Sequence, residues 1–465
     1  MQRILIGILL AILLAACAKP QPGPTTEEVV EKALPETTEI AETFTEVPSW
    51  ADVIADGAVK DGWLRTFGDA DLERIVEEAL QNNRDLAVAS ANLDAAAALA
   101  TQAGARLIPA VNVGGGAQST DRGDNNTNSS GAALNMAWEL DIWGKLGAAA
   151  AAAEAAYRAT EADLEAARQS LVAQTAKAWF LATEANLQLG LSQEALEIYE
   201  QTLEIVETRV DVGAAAPQDV FLAKADLNAA KERQRQAIGA LTQAVRSIEV
   251  ILGRYPSAEL EVAREFVPTP PGIPVGIPAE LLERRPDLIA AERRVAAAFQ
   301  RVESARAAKL PSLSLTASGG SSSNELLDLI GVSSNFFSLG ANFVAPLDLG
   351  GSLEAQVQIE TAQQEAALAN YGSIALRAFS EVESALTNES LLQERETFLA
   401  AAVANNAGAL AAAKTRYDVG AVDFLSVLQM QARALNSRIS LIRMQNARLA
   451  QRVDLHLALG GSFSE

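Results

Sequence analysis

Lys145 to Val212 runs for about 70 residues without a proline, and Ser352 to Val419 does the same. At about 1.5 Å of rise per residue an unbroken helix over either stretch reaches ~100 Å, far beyond the diameter of a globular domain. Both stretches carry helical spacing. Leu191, Ile198, Ile205 and Val212 recur every seven residues, which predicts a coiled-coil seam, and Ala375, Phe379, Val382 and Leu386 alternate four, three, four. Alanine fills about a fifth of the 465 residues while aromatics supply only 5%, a composition for long helices packed closely rather than for several compact cores. The stretches near Asp69 to Leu107 and Pro217 to Leu252 together match one long helix in length, so two shorter helices can stack beside each long one.

The chain also repeats itself. Asn83-Arg84-Asp85-Leu86 lines up with Arg285-Pro286-Asp287-Leu288 and Leu107-Ile108-Pro109 with Lys309-Leu310-Pro311, both at a shift of 202. Leu140-Asp141-Ile142-Trp143-Gly144 lines up with Leu347-Asp348-Leu349-Gly350-Gly351, and Arg209-Val210-Asp211-Val212-Gly213 with Arg416-Tyr417-Asp418-Val419-Gly420, both at 207. Four landmarks in one order indicate a duplicated unit. Each copy reads helix, strand, loop, strand, very long helix, turn, helix.

The strands alternate with period two. Leu134, Met136, Trp138, Leu140 and Ile142 point one way, and Ala133, Asn135, Ala137, Glu139 and Asp141 the other. Phe337, Leu339, Ala341, Phe343 and Leu347 alternate with Ser338, Gly340 and Asn342; Leu313 and Leu315 with Ser312, Ser314 and Thr316; and Val111 and Val113 flank Asn112. One apolar face and one small or polar face suits a membrane barrel with a wet lumen, and equally a half-buried hairpin of a soluble protein. Ser119 to Gly131 and Ser318 to Asn335, rich in Asn, Ser, Gly and Asp, are expected to be exposed loops. If the strands span a membrane, four are too few: the smallest barrels have about eight, and an open edge in lipid leaves backbone groups unpaired. Several chains must then share one barrel, two giving eight strands or three giving twelve.

At the N-terminus, Arg3 precedes an apolar run from Ile4 to Leu14 that is too short to span a bilayer and reads as a signal peptide, residues 1–16. Leu14-Ala15-Ala16-Cys17 resembles the bacterial lipobox, which makes Cys17, the single cysteine, the lipid-attachment residue. Ala18, rather than Asp, follows it, so the outer membrane is the expected address. Residues 17–60 read as a lipidated acidic tether: between Pro20 and Pro48, Glu27, Glu28, Glu31, Glu36, Glu39, Glu42 and Glu46 stand against Lys32 among Pro and Thr, a composition expected to stay extended.

Composition narrows the chemistry. The one histidine, His456, sits between Leu455 and Leu457 and reads as structural, so imidazole-based catalysis and metal binding lack their central residue. A formal charge of −22 lacks the basic footprint that nucleic acid needs. Gly114-Gly115-Gly116 is not followed by Gly-Lys-Ser/Thr and is no phosphate loop, and the run Asp124, Asn126, Asn128 has Ser129 where a calcium loop needs Gly. Enzymes without histidine exist, so carboxylate pairs stay open as catalytic groups, but among 59 acidic residues chance pairs carry no signal; no cofactor, metal or catalytic residue is singled out and no enzyme is expected.

Several marks then converge on one family. Trp63 with Phe67-Gly68-Asp69, Ala79-Leu80 with Asn83 and Asp85-Leu86, the linker running from Ile273-Pro274-Val275-Gly276 to Arg285-Pro286-Asp287-Leu288, Arg416-Tyr417-Asp418-Val419-Gly420 with Val427-Leu428, and Leu459-Gly460-Gly461 resemble the TolC-like outer-membrane efflux channels, in the lipoprotein branch serving resistance-nodulation-division pumps. The resemblance implies an α+β tandem-repeat membrane fold with four strands per chain. It implies a homotrimer sharing a twelve-stranded barrel in outer-membrane lipid, continued by a periplasmic α-helical barrel. The partners implied are a periplasmic adaptor protein and an energised inner-membrane transporter of the resistance-nodulation-division type, for which the chain is a gated, passive duct for drugs or other small toxic compounds. A protein-secretion or metal-export duct shares the fold, and a non-conducting coiled-coil lipoprotein is the non-transport alternative; scarce Met and His favour organic substrates over soft metals.

On this reading the first repeat spans 61–255 with a hairpin at 109–143, the Pro-rich equatorial linker 256–279, the second repeat 280–461 with a hairpin at 311–348, and the tail 462–465. Asp141, Trp143 and Asp348 fall at the junction of strands and helices, and Gly213 and Gly420 at tip turns that meet the adaptor. Tyr417 takes the place of the family's tip tyrosine and Asp219 that of its aspartate partner, which implies a Tyr417–Asp219 latch. Val422 replaces the family's arginine. At the constriction Gln429 stands where the family's acidic residue is usual and Ser426 at the other constricting place, with Asp423 nearby.

Overall fold

Long proline-free runs of Ala, Leu, Glu, Gln and Arg do form unbroken helices. The computed structural model describes residues 23–34, 54–55, 61–122, 125–274, 280–323 and 335–463. The signal peptide, Cys17 and most of the tether lie outside them. Helices α1 (Thr26–Ala33), α2 (Ala70–Asn82) and α3 (Arg84–Gly104) lead through strands β2 (Ala110–Arg122) and β3 (Asn125–Leu140) to α4 (Lys145–Asp211) and α5 (Pro217–Ile251). The second passage runs α6 (Leu281–Arg284), α7 (Pro286–Ala307), β5 (Ser312–Ser323), β6 (Asn335–Val344), α8 (Ser352–Asp418) and α9 (Phe424–Ala458). Short strands β1 (Ile54–Ala55) and β4 (Ile273–Pro274) pair in parallel.

The duplication holds to the residue in the helices. α4 and α8 have 67 residues each and α5 and α9 have 35, with every boundary displaced by 207. Side-chain caps repeat the scheme with different chemistry. Asn83 donates from Nδ2 to the Ile251 carbonyl at 3.0 Å, and its counterpart Arg285 donates from Nη1 to the Ala458 carbonyl at 3.1 Å, each closing the end of α5 or α9. Gly253, just past α5, has φ +69°, and a Cβ there would lie 2.7 Å from the Asn82 carbonyl oxygen, so only glycine fits.

The described residues divide into two units. The first draws on Met1–Glu39, Ser90–Asp163 and Asp287–Ile374, and holds the four-stranded sheet and α1. The tether expectation fails at α1: Thr25 and Glu28 form a reciprocal capping box (3.3 and 3.1 Å), and Val29 is fully buried, so Thr-Glu-Glu-Val starts a helix instead of staying extended. Thr26 Oγ1 donates to Glu292 at 3.1 Å, and the close approach of the Ala33 carbonyl to Gly372 leaves no room for a Cβ there.

The second unit draws on Ile40–Ala89, Leu164–Pro286 and Ala375–Glu465. Its core gathers Trp63, Phe67, Ile75, Trp179, Phe180, Ile248, Leu252, Leu449 and Val453. Asp69 does two jobs there: one oxygen accepts from Leu72 N (3.0 Å) to start α2, and the other accepts from Trp179 Nε1 (2.9 Å), satisfying a buried indole. A second cluster joins Ile273, Leu281, Val382, Leu386, Leu455 and Leu459. His456 lies beside these clusters, 4% exposed and stacked on Trp63 with centroids 5.4 Å apart and planes 15° apart. Burial, then the Arg452 charge, push its pKa down to about 3, so it is the neutral structural residue expected. Its counterpart in the first repeat is Glu249, 2% exposed. Burial alone would raise that carboxyl, but the N–H groups of Ala258, Glu259 and Leu260 (2.7–3.2 Å) together outweigh it and hold the pKa below the usual range.

One sequence expectation shifts by a position. The seam on α4 is Leu191, Ala195, Tyr199 and Val206, all buried, whereas Ile205 and Val212 of the sevenfold series are 52% and 73% exposed. Small Ala195 and amphipathic Tyr199 face inward beside Leu191 and Val206, so aliphatic size alone did not mark the buried stripe. On α8 the expected Ala375, Val382 and Leu386 are buried.

Candidate functional site

The sheet of the first unit runs β2-β3-β5-β6, antiparallel throughout. Its register carries the alternation across all four strands. Val113 pairs with Leu134, Leu134 with Gly319 and Gly319 with Phe337; two residues on, Val111, Met136, Ala317 and Leu339 form the next row. Trp138, Leu315 and Ala341, then Leu140, Leu313 and Phe343, complete one apolar face, and the intervening rows, such as Asn112, Asn135, Ser318 and Ser338, are small or polar. Because the side-chain period is two, this matching sorts the whole sheet into faces.

The apolar face is not covered by the chain itself: Val113 is 81% exposed, Phe337 73% and Leu339 71%. Among the described residues β2 and β6 each pair on one side only. The strands also extend into the expected loops, β2 to Arg122, β3 back to Asn125 and β5 to Ser323, since Ser, Thr and Asn in alternation pair as readily as apolar residues once the register is fixed. With 10 to 16 residues, they meet the 9–11 or so that a tilted strand needs to cross a bilayer. No described helix is long and apolar enough to cross one.

Each strand pair passes to its long helix through an aspartate. Asp141 accepts from Leu146 N (2.8 Å) and Gly147 N (2.6 Å); Asp348 accepts from Leu353 N (3.1 Å) and Glu354 N (3.0 Å). The two caps are equivalent at the 207 shift, and those N–H bonds, Glu354 foremost, hold the Asp348 carboxyl below its usual range. Trp143 Nε1 donates to the Pro311 carbonyl at 2.7 Å, tying the start of α4 to the foot of β5.

The helical tips lie in the second unit. α4 and α8 end in matching turns: Gly213 and Gly420 have φ of 77° and 73°, and the next residue donates back five places, Ala214 to Arg209 O (2.7 Å) and Ala421 to Arg416 O (2.8 Å). Under the turns Tyr199, Val206, Ala223, Leu227, Phe424 and Leu428 form an apolar cluster with Tyr417 at its margin.

The expected Tyr417–Asp219 latch is not made. Asp219 is the third residue of α5 and folds back to the Ala216 N–H (3.3 Å), while the Tyr417 hydroxyl is buried with no hydrogen-bond partner among the described residues. The Tyr417 ring instead lies under the Arg209 guanidinium, 4.3 Å from carbon to ring centroid, and against Phe424 at 5.7 Å. Arg209 also reaches the Tyr417 carbonyl and the Asp418 carboxylate, both at 3.3 Å. The sequence reading missed Arg209, although the repeat pairing of Arg209 with Arg416 was the signal that could have found it.

Asp423 caps α9, accepting from Ser426 N (2.9 Å) and Ser426 Oγ (2.5 Å), and those bonds, the hydroxyl first, hold its carboxyl below the usual range. Asp423, Ser426 and Gln429 follow at steps of three and share a face, with Asp423 and Gln429 exposed. Phe424, Val427, Leu428 and Gln431 fill the opposite, buried side. Among the described residues no group of His, Cys, Asp and Glu could hold a metal ion.

Comparison with known proteins gives a consistent picture. The family model described as "Outer membrane efflux protein" matches residues 75–254 and 277–461. Outer membrane protein OprJ of Pseudomonas aeruginosa is 31% identical, covering 99% of this chain and 96% of its own, and the toluene efflux pump outer membrane protein TtgC of Pseudomonas putida is 30% identical, covering 88% and 86%. The solved outer-membrane channel OprN superposes with a TM-score of 0.83 at 28% identity, covering 93% of this chain and 99% of its own.

Proposed function

The chain belongs to the outer membrane efflux protein family, and on that premise we propose that it is the outer-membrane channel of a tripartite efflux system, a passive, gated duct for drugs or other small toxic compounds. One observation carries this most strongly: a four-stranded sheet whose apolar face is exposed at Val111, Val113, Leu134, Phe337, Leu339 and Phe343, and whose outer strands pair on one side only among the described residues. In water that face costs about 25 cal/mol per Å² exposed, and in lipid the half-paired edges cost more. Both costs vanish when three chains close their sheets into a twelve-stranded barrel with Val113, Leu134, Phe337 and Leu339 toward lipid and Asn112, Asn135, Ser318 and Ser338 toward a wet lumen. Asp141, Trp143 and Asp348 fasten that barrel to the helices in each repeat, 61–255 and 280–461.

The other end of the helices is the periplasmic one. The turns at Gly213 and Gly420 present the surface for an adaptor protein, which couples the duct to an inner-membrane transporter supplying the energy. Asp423, Ser426 and Gln429 line the aperture, which carries an amide rather than a ring of acid at Gln429. Cys17 carries the lipid anchor.

Export decides the proposal. In a host lacking other channels of this family, deletion of the gene should slow dye efflux and raise drug susceptibility, and the full chain, expressed with its adaptor and transporter, should restore both. Unchanged efflux on deletion, with the partners present, would overturn it.

A further inference from the structure

We infer that Arg209 is the positioning residue that fastens the helical tips, holding the end of α8 against the end of α4 through the face of Tyr417 and the carboxylate of Asp418; this rests on the tips being the closable end of a duct. Three contacts converge on one guanidinium. Its carbon sits 4.3 Å from the Tyr417 ring centroid, Nη1 donates to the Tyr417 carbonyl, and Nη2 donates to Asp418 Oδ1, both at 3.3 Å. The carbonyl is among the last of α8; it already accepts from Gly420 N at 3.0 Å, so Arg209 takes its second lone pair, at the negative end of the helix dipole, which favours a cation. A planar guanidinium can stack and donate in its own plane at the same time, which an ammonium cannot.

The duplication argues the same way. Arg416 is the repeat counterpart of Arg209, but the counterpart of Tyr417 is Val210, which offers no ring. One arginine of the pair is therefore a clasp and the other is an exposed helix-end residue. Among the described residues the Tyr417 hydroxyl meets no partner, so the ring face and the backbone, not the phenol, are the fastening atoms. At 26% exposure the Arg209 side chain is partly shielded from competing water.

The test is susceptibility to a glycopeptide antibiotic too large for ordinary porins, in cells producing the full chain, with immunoblots confirming equal amounts in the outer membrane. Arg209→Gln should lower the inhibitory concentration by about tenfold, equivalent to about 1.4 kcal/mol of closing free energy. Arg209→Lys should fall between Gln and wild type, Tyr417→Phe should match wild type, and Tyr417→Leu should sensitise cells without adding to Arg209→Gln. Phe424→Asp, which puts a carboxylate into the apolar cluster beneath the clasp, is the forced-open control. If that control sensitises cells and Arg209→Gln does not, the clasp is wrong and the duct reading stands. If neither does with both present in the membrane, the duct reading fails. Should Arg209→Gln not accumulate, Arg209→Lys and Asp418→Asn carry the same comparison, and wild-type resistance in both would overturn the clasp.

Discussion

The buried pair Arg452–Glu389 offers the sharpest stability experiment. Arg452 Nη2 donates to Glu389 Oε1 at 2.5 Å, the side chains are 3% and 0% exposed, and Nη1 also donates to the Pro271 carbonyl at 2.6 Å. The second Glu389 oxygen meets no donor among the described residues, so the pair is incompletely compensated for lost hydration. Replacing Glu389 with Leu strands a guanidinium in an apolar site, at a cost of about 3–5 kcal/mol. Glu389→Gln keeps an acceptor and should cost about 1.5–3 kcal/mol. The double variant Glu389→Leu with Arg452→Met removes both charges and should come within about 2 kcal/mol of wild type. Because the chain has two units, global unfolding need not be two-state, and hydrogen exchange along 446–456 of α9 is the better assay. The Leu variant should accelerate exchange there by roughly two to nearly four powers of ten, and the double variant should recover most of it. A single-variant cost below about 1 kcal/mol, or a double variant losing the sum of both singles, would refute a coupled buried pair.

Three further outcomes follow from the geometry. His456 titrates near 6.5 unfolded and near 3 folded, so its neutral form contributes full stability above about pH 6.5, and that contribution, on the order of 4–5 kcal/mol, fades as pH falls from 6.5 toward 3; His456→Phe should flatten this part of the stability curve, and an unchanged slope would contradict it. Asp141→Ala should cost about 1–2 kcal/mol and speed exchange at the Leu146 and Gly147 amides, with little effect at Leu353. Cys17→Ser should abolish acylation, read by fatty-acid labelling, while leaving assembly intact, since the barrel itself holds the membrane; globomycin-insensitive processing of the native precursor would count against the lipid anchor.

What could be read from the sequence divides by the range of the forces involved. The strand faces were legible because alternation is a local property that the antiparallel register must preserve, as the row Val113, Leu134, Gly319, Phe337 illustrates. The repeat was legible for the same reason: Asp141 and Asp348, or Gly213 and Gly420, mark ends whose backbone geometry demands those residues. The tip was not. A tyrosine, two aspartates and an arginine offer several pairings, and long-range packing decides that Arg209 takes the ring of Tyr417 while Asp219 turns back on its own helix. The α4 seam went astray because Ile205 and Val212 look like core but are exposed on the single chain, while Ala195 and Tyr199 carry the burial. The helix at Thr26–Ala33 was hidden by the acidic composition around it, although Thr25 and Glu28 already spelled its capping box.

Single-channel recording of the purified full-length protein in planar lipid bilayers tests the duct most directly. Discrete conductance steps, enlarged when the tips are unfastened by Arg209→Gln or forced apart by Phe424→Asp, are the expected result. A membrane-inserted assembly that stays silent at every voltage in all three forms would contradict the account.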